Sequence, residues 1–249
     1  MIRNGNSKSL VRWRLVGCGV VALLFVACAL SLAFIAPTET TMGDAQRVLY
    51  VHVPVAWIGI LAFLVLGATS LLYLKTRRLA WDHWSTAATE IGWGACGLTL
   101  ATGSLWARSA WGTAWTWDPR LTASFVLWLI YGGCLIVRRS IVEDHRRARI
   151  ASVLACIGAA DLPMVVMATR WFRGIHPVAP EMEPAMRFVL LVHIVAFTGL
   201  CVVLLDHRRK QVAMESDMER SMLHLRSAEN GSSAARSLGG SALACYPKE

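Results

Sequence analysis

The sequence predicts an all-α integral membrane protein: a bundle of six transmembrane helices, both termini cytoplasmic, with a tryptophan-rich outer loop. Three observations lead there. The 249-residue chain is 55% hydrophobic and 16% charged, with a mean hydropathy of +0.49, whereas soluble domains carry about a quarter charged residues. Six stretches free of Lys and Arg have the roughly 17–25 residues that a bilayer core of about 30 Å demands. They are Leu15–Ala36, Val55–Leu74, Ile91–Ala107, Leu121–Val137, Ile150–Thr169 and Phe188–Leu205. The cations between them alternate in number from loop to loop.

That alternation sets the orientation. One side receives Arg3, Lys8, Arg12 and Arg14, then Lys75, Arg77 and Arg78, then Arg138, Arg139, Arg146, Arg147 and Arg149, then Arg208, Arg209 and Lys210. The other receives Arg47, then Arg108 and Arg120, then Arg170, Arg173 and Arg187. The ratio is 15 to 6, and the positive-inside rule puts the richer side in the cytoplasm. Residues 1–14 are then a cytoplasmic N-terminus and 15–205 the membrane domain, with outer loops near 37–54, 108–120 and 170–187. Residues 206–249 form a cytoplasmic tail, expected to be disordered from Gln211 because it holds too little apolar material for a core. The first stretch exceeds a typical signal-peptide core and runs into Pro37, so it is expected to be retained as a helix.

Several function classes fall away. The net charge of +9 sits in short clusters between apolar runs, which speaks for membrane topology and against nucleic acid. Seven cysteines include no Cys-x-x-Cys pair, so a disulfide framework, a zinc knuckle and a thioredoxin-like pair are unsupported. No nucleotide-binding glycine loop, nucleophile elbow or paired-carboxylate site is recognisable, and an enzyme is not expected. Any ATP would be bound by another subunit.

The outer loops carry the chemistry. In the first, Asp44 is placed as the N-cap of a short helix that Pro54 ends. Ala45, Val48, Leu49 and His52 share one face of that helix. The second, WARSAWGTAWTWDPRLT, holds Trp106, Trp111, Trp115 and Trp117 within twelve residues. An interfacial aromatic belt needs one or two rings per helix end, so four point to a flat, apolar, aromatic ligand. Asp118 followed by Pro119 reads as the N-cap and first residue of the fourth membrane helix. The third loop carries His176, followed by three prolines. His52 and His176 are the two of the seven histidines in outer loops, on either side of the tryptophans. Haem iron takes imidazoles on its two faces, and this arrangement suits that geometry. Arg108, Arg120, Arg170 and Arg173 are the candidate contacts for its propionates.

The stretch WGTAWTWDPRLTAS, Trp111–Ser124, closely resembles the tryptophan-rich "WWD" signature of the haem-handling superfamily. The stretch GDAQRVLYVHVPVAW, Gly43–Trp57, resembles the first outer loop of one of its families, haem exporter protein C. That family is the C subunit of the Ccm (system I) cytochrome c maturation machinery. The resemblance runs from about Thr38 to Leu205. It implies that His52 and His176 ligate the iron of non-covalent haem b. It also implies that Trp111, Gly112, Trp115, Trp117, Asp118, Arg120 and Leu121 form the haem-contacting surface. The implied role is to hold haem at the outer, periplasmic face of the inner (plasma) membrane and deliver it to the haem chaperone, the E subunit. The ABC transporter A and B subunits and the small D subunit are the implied companions, besides membrane lipid and without nucleic acid. Two positions depart from the usual pattern: many relatives have a second aromatic residue where Ala114 stands, and Phe172 stands where Trp is frequent.

Three residues and two rivals remain open at the level of sequence. Asp161, two residues before Pro163 in the fifth span, is either functional or a partner of a proline-broken helix. His193, in the sixth span, is more readily an intramembrane histidine bonding a neighbouring helix than a third haem contact. Glu90 reads as interfacial. The rivals are another WWD-type haem-handling or lyase component, or a b-type haem electron-transfer subunit. Against the latter, the cytoplasmic halves of the spans lack histidine. A solute transporter, suggested only by Asp161 and Pro163, ranks below both.

Overall fold

A computed structural model describes residues 4–40, 42–172 and 182–243. It consists of six helices: α1 (Asn4–Phe34), α2 (Leu49–Thr76), α3 (Leu79–Trp111), α4 (Pro119–Ser140), α5 (Asp144–Trp171) and α6 (Pro184–Leu243). A 3₁₀ turn, Asp44–Val48, leads into α2. Five helices are long and apolar enough to cross a membrane. The remaining one, α3, contains the stretch Ile91–Ala107, whose apolar character is diluted by Gly92, Gly94, Gly97, Thr99, Thr102, Gly103 and Ser104. Those small residues let neighbouring rings approach its backbone.

Helices α2 to α5 pack on one another around Phe63, Leu66, Leu127 and Tyr131. The rings of Phe63 and Tyr131 lie 4.2 Å apart. They fit because a Cβ on Gly92 would meet Phe63 at 2.5 Å and one on Gly158 would meet Tyr131 at 2.7 Å. On the outside of this group, Trp57 of α2 donates to Thr198 of α6 at 2.9 Å, and Phe25 of α1 meets Phe197 of α6 at 5.2 Å. The outward faces are apolar: Leu15, Leu23, Leu105 and Ile136 are all exposed. A surface of that kind is stable only against lipid or a partner, as in a multi-pass membrane protein.

The two ends of the bundle differ. At one, Arg138 of α4 enters α3 between Asp82 (2.8 Å), Ser85 (2.8 Å) and Thr86 (2.7 Å), with Ser70 of α2 3.1 Å from Ser85. Both charged side chains are buried. The other end carries the start of α2, the end of α3 and the start of α4.

Three local expectations need correction. Pro54 does not end a helix: α2 runs through it. His52 is therefore on the first turn of a long helix rather than in a loop. Gly43, with φ 58°, takes the N-cap position of the 3₁₀ turn, and Asp44 instead pairs with Arg47 at 3.1 Å. Pro163 likewise lies within an unbroken α5. A proline removes one N–H, and the packed surroundings of a membrane bundle hold the helix together across the gap. Helix α6 continues to Leu243. Its Ala, Met, Leu, Glu and Arg residues are good helix formers. Residues Lys210–Glu249 form a separate unit from Met1–Arg209. Within that unit Met214, Met218 and Met222 are exposed.

Candidate functional site

The tryptophan-rich segment is held by a helix stop and a helix start. Helix α3 ends when Gly112 adopts φ 74°, a left-handed conformation that suits glycine, and donates its N–H to Arg108 at 3.1 Å. Helix α4 begins at Asp118, whose Oδ1 accepts from the Leu121 N–H at 2.8 Å, with Pro119 at the first helical position. This is the cap that the Asp-Pro pair predicts. Seven residues, Gly112 to Asp118, span the gap, and Thr113 donates to the Trp115 carbonyl at 3.1 Å.

His52 is buried at 8% exposure in a seat made by one face of α3. Its Nδ1 is 2.9 Å from Thr102 Oγ1. Its ring lies 6.0 Å from that of Trp106, which in turn lies 6.1 Å from Trp111. Between them, a Cβ on Gly103 would sit 2.9 Å from His52 Cε1. Glycine at 103 is thus what allows the imidazole to lie on the helix backbone.

Two cavities lie along α3. The smaller, about 80 Å³, lies between α2, α3, α4 and α5 and is lined by His52, Arg120, Leu121, Cys96 and Ser124, among others. The larger is an open groove of about 460 Å³ between α3 and α4. Trp115, Trp117, Phe125, Trp128 and Leu100 line it, and Gly97, Ala101 and Ser104 form its floor. Leu100 borders both cavities. Groove rings contact one another edge-on or stacked: Trp115 to Trp117 at 5.5 Å, Trp115 to Phe125 at 6.0 Å, Phe125 to Trp128 at 6.2 Å. Trp117 is 72% exposed, so its ring is available to a ligand. Buried polar atoms without a protein partner gather in the same segment: Trp106 Nε1, Trp115 Nε1, Thr116 Oγ1, Asp118 Oδ2 and Thr122 Oγ1.

The residues of the tryptophan signature therefore do different things. Trp115 and Trp117 line the groove, Arg120 and Leu121 line the smaller cavity with His52, Trp111 backs Trp106, and Gly112 and Asp118 set helix ends. Arg108 and Arg170 are exposed near the ends of α3 and α5. His176 and Arg173 lie outside the described residues. His193 is buried, donates from Nδ1 to the Val189 carbonyl of its own helix at 2.9 Å, and lies 5.7 Å from Tyr50. It bonds its own turn rather than a neighbouring helix. Asp161 Oδ2 is buried without a hydrogen-bond partner. Glu90 is paired with Arg208 at 2.5 and 3.0 Å.

Sequence reasoning missed Thr102, Gly103, Phe125 and Trp128. For the groove rings the signal was present as helical spacing, Leu121, Phe125 and Trp128 falling at i, i+4 and i+7, whereas no local pattern marks Thr102 or Gly103.

A planar iron macrocycle fits this donor set. The apolar groove falls in the size range of small-molecule sites, about 300–1,000 Å³, and is lined by Trp115, Trp117, Phe125 and Trp128, while His52 and Arg120 line the other cavity. The cavity lined by His52 and Arg120 is smaller, about 80 Å³.

Comparisons with known proteins agree. The family model described as "Heme exporter protein C" matches residues 4–224. A "Heme exporter protein C" of Bradyrhizobium diazoefficiens is 34% identical over 189 residues, covering 73% of this chain and 72% of that protein. The Escherichia coli K12 protein of the same name is 31% identical over 193 residues, covering 74% and 77%. A "Putative cytochrome c biosynthesis ccmC-like mitochondrial protein" of Arabidopsis thaliana is 36% identical over 155 residues, covering 62% and 58%.

Proposed function

The chain belongs to the heme exporter protein C family, and on that premise we propose that it binds haem b non-covalently at the periplasmic face of the inner membrane and hands it to the haem chaperone, the E subunit. Membership carries a role in haem delivery for cytochrome c maturation, as part of a Ccm complex. The companions in this reading are the ABC transporter A and B subunits and the small D subunit. The chain acts as a carrier and performs no bond-making chemistry of its own.

The topology that goes with this role has six spans, with α3 as the third and both termini in the cytoplasm. Two features support it. The cation count between apolar stretches is 15 on one side and 6 on the other. The Arg138–Asp82 pair and the tryptophan segment lie at opposite ends of α3 and α4. A helix carrying glycine and hydroxyl residues is tolerated inside a membrane bundle, because such residues favour close helix packing.

In the site, His52 and His176 are the axial ligands. Trp115 and Trp117, with Phe125 and Trp128, offer the macrocycle apolar ring faces, each aromatic contact adding about 0.5–1.5 kcal/mol beyond area burial. Trp111 supports His52 through Trp106. Arg120, assisted by Arg108, Arg170 and Arg173, meets the propionates. Asp118 fixes the start of α4, and with it the positions of Arg120 and Leu121. The observation that carries the reading is the open groove of indole rings, Trp115, Trp117 and Trp128, in a chain of this family.

An absorption spectrum tests it. The purified protein is expected to show the Soret band of a b-type haem, and His52→Ala or His176→Ala to lose most of it. Full haem retention in both variants defeats the ligand assignment.

A further inference from the structure

Resting on the reading of the α3–α4 groove as the seat of the macrocycle, we propose that Trp93 is a positioning residue for that groove. It lies outside the lining, and by stacking on Trp128 it fixes the wall where the groove ends, and so the depth to which a planar ligand enters. The groove has two ends. Trp115 and Trp117 belong to the segment that joins α3 to α4, and mark one. Gly97 of α3 and Trp128 of α4 are the lining residues farthest along each helix from that segment, and mark the other. From Ser104 back to Gly97 the helix rises roughly 10 Å, at about 1.5 Å per residue. Trp93 and Gly132 lie one turn beyond, Trp93 four residues before Gly97 and Gly132 four after Trp128.

The two indoles interlock. Trp128 reaches across to Gly97, where an added Cβ would stand 2.9 Å from its Nε1 and 3.7 Å from its Cδ1 and Cε2. Trp93 reaches back to Gly132, where an added Cβ would stand 3.1 Å from its Nε1. One pattern, Trp followed four residues later by Gly, thus occurs on both helices, and each ring lies on the other helix's glycine. The rings themselves stack, with centroids 5.2 Å apart and planes 13° from parallel, within the favoured range of about 4.5–7 Å. Neither indole N–H has a hydrogen-bond partner among the described residues. Shape therefore holds the pair in place: two glycines and one stack.

Trp128 passes that constraint into the groove. Its ring also stacks near-parallel on Phe125, at 6.2 Å and 22°, and Phe125 meets Trp115 edge-on at 6.0 Å. Trp93, Trp128, Phe125 and Trp115 form one column, of which the last three line the groove and the base does not. With Trp93 in place Trp128 cannot retreat along the bundle, and with glycine at 97 it is not pushed forward into the groove. No Asp, Glu, Lys or Arg occurs from 91 to 107 or from 121 to 137. The ligand edge that meets this wall is therefore apolar, because a carboxylate there would be buried without a partner. The wall leaves a carboxylate-bearing edge at the end that Trp115 and Trp117 mark.

Metal-free protoporphyrin IX is the probe, because its binding needs no axial ligand. Full-length variants in nanodiscs are titrated with it and followed by porphyrin emission, with empty nanodiscs as the lipid background. Trp93→Ala weakens binding roughly 2- to 12-fold, the worth of one aromatic contact, and Trp93→Phe, which restores a ring, recovers most of it. Gly97→Ala and Gly132→Ala weaken it as well. Gly94→Ala and Gly133→Ala, with nothing within 4 Å of the added Cβ, bind as wild type does. Bound porphyrin sits deeper in Trp93→Ala, so aqueous iodide quenches its emission less than in wild type, and Trp93→Phe returns to the wild-type value. A loss of stability alone does not move that ratio. Wild-type affinity and quenching in Trp93→Ala, while Trp117→Ala loses the porphyrin, overturn the role of Trp93 and leave the groove standing. Wild-type binding by both variants overturns the groove as well. Should Trp93→Ala not fold, Gly132→Ala against Gly133→Ala decides, and equal affinities overturn the role.

Discussion

Substituting Gly103 by alanine tests the geometry of the His52 seat with one methyl group. The new Cβ would be 2.9 Å from His52 Cε1, 3.7 Å from Nδ1 and 3.8 Å from Nε2. Ordinary carbon contacts begin about half an ångström farther out, so the imidazole has to move. It is a rigid ring held by Thr102 on one edge and Trp106 on its face, and it cannot yield as a flexible chain end would. Overpacking of this kind costs about 1–3 kcal/mol. The strain is released by displacing the ring from Thr102, so it appears as lost haem affinity, roughly 5- to 140-fold at about 1.4 kcal/mol per decade. Folding itself is partly compensated, because alanine is better than glycine in a helix by about 0.8–1.0 kcal/mol. Gly94→Ala is the control: it makes the same change in the same helix, with nothing within 4 Å of the added Cβ. Haem titration of both purified variants, followed at the Soret band, gives the answer. Equal, wild-type affinity in the two refutes the placement of His52 against α3.

Two further substitutions probe the frame. Asp118→Ala removes the side-chain acceptor of the Leu121 N–H and is expected to destabilise α4 by about 1 kcal/mol, lowering the thermal midpoint. Asp118→Ser should restore most of the loss, and no change in either variant would show the cap to be idle. Asp82→Asn leaves Arg138 buried at 7% side-chain exposure without its counter-ion, which costs about 3–5 kcal/mol. The double change Asp82→Leu with Arg138→Met is expected to recover much of that in a thermal-shift assay, with the haem spectrum unchanged; a double variant as unstable as the single one contradicts the reading.

Sequence patterning carried much of this fold, for physical reasons. A membrane helix must satisfy its own backbone and cover itself with apolar side chains, so α1, α2, α4, α5 and α6 announce themselves as unbroken apolar runs. The start of α4 was legible because Asp-Pro is a local signal, complete within four residues. Pro54 and Pro163 misled because a proline is a helix breaker in water, where nothing replaces the missing bond. In α2 and α5 the packed neighbours hold the helix straight on.

The seat of His52 was illegible for a different reason. Thr102 is fifty positions away, and nothing in its own neighbourhood marks it as a partner; a Thr-Gly pair in a membrane helix reads as ordinary small-residue packing. What could be read was chemistry without placement: a histidine near the start of one helix and indoles after the end of another. Placement changes what that chemistry can do. A histidine in a loop must lose backbone and side-chain freedom when it ligates a metal, at about 1–2 kcal/mol per residue fixed. His52 has already lost that freedom in folding, through a helix on one side and Thr102, Gly103 and Trp106 on the other. In the proposed site one axial ligand is thus rigid in advance.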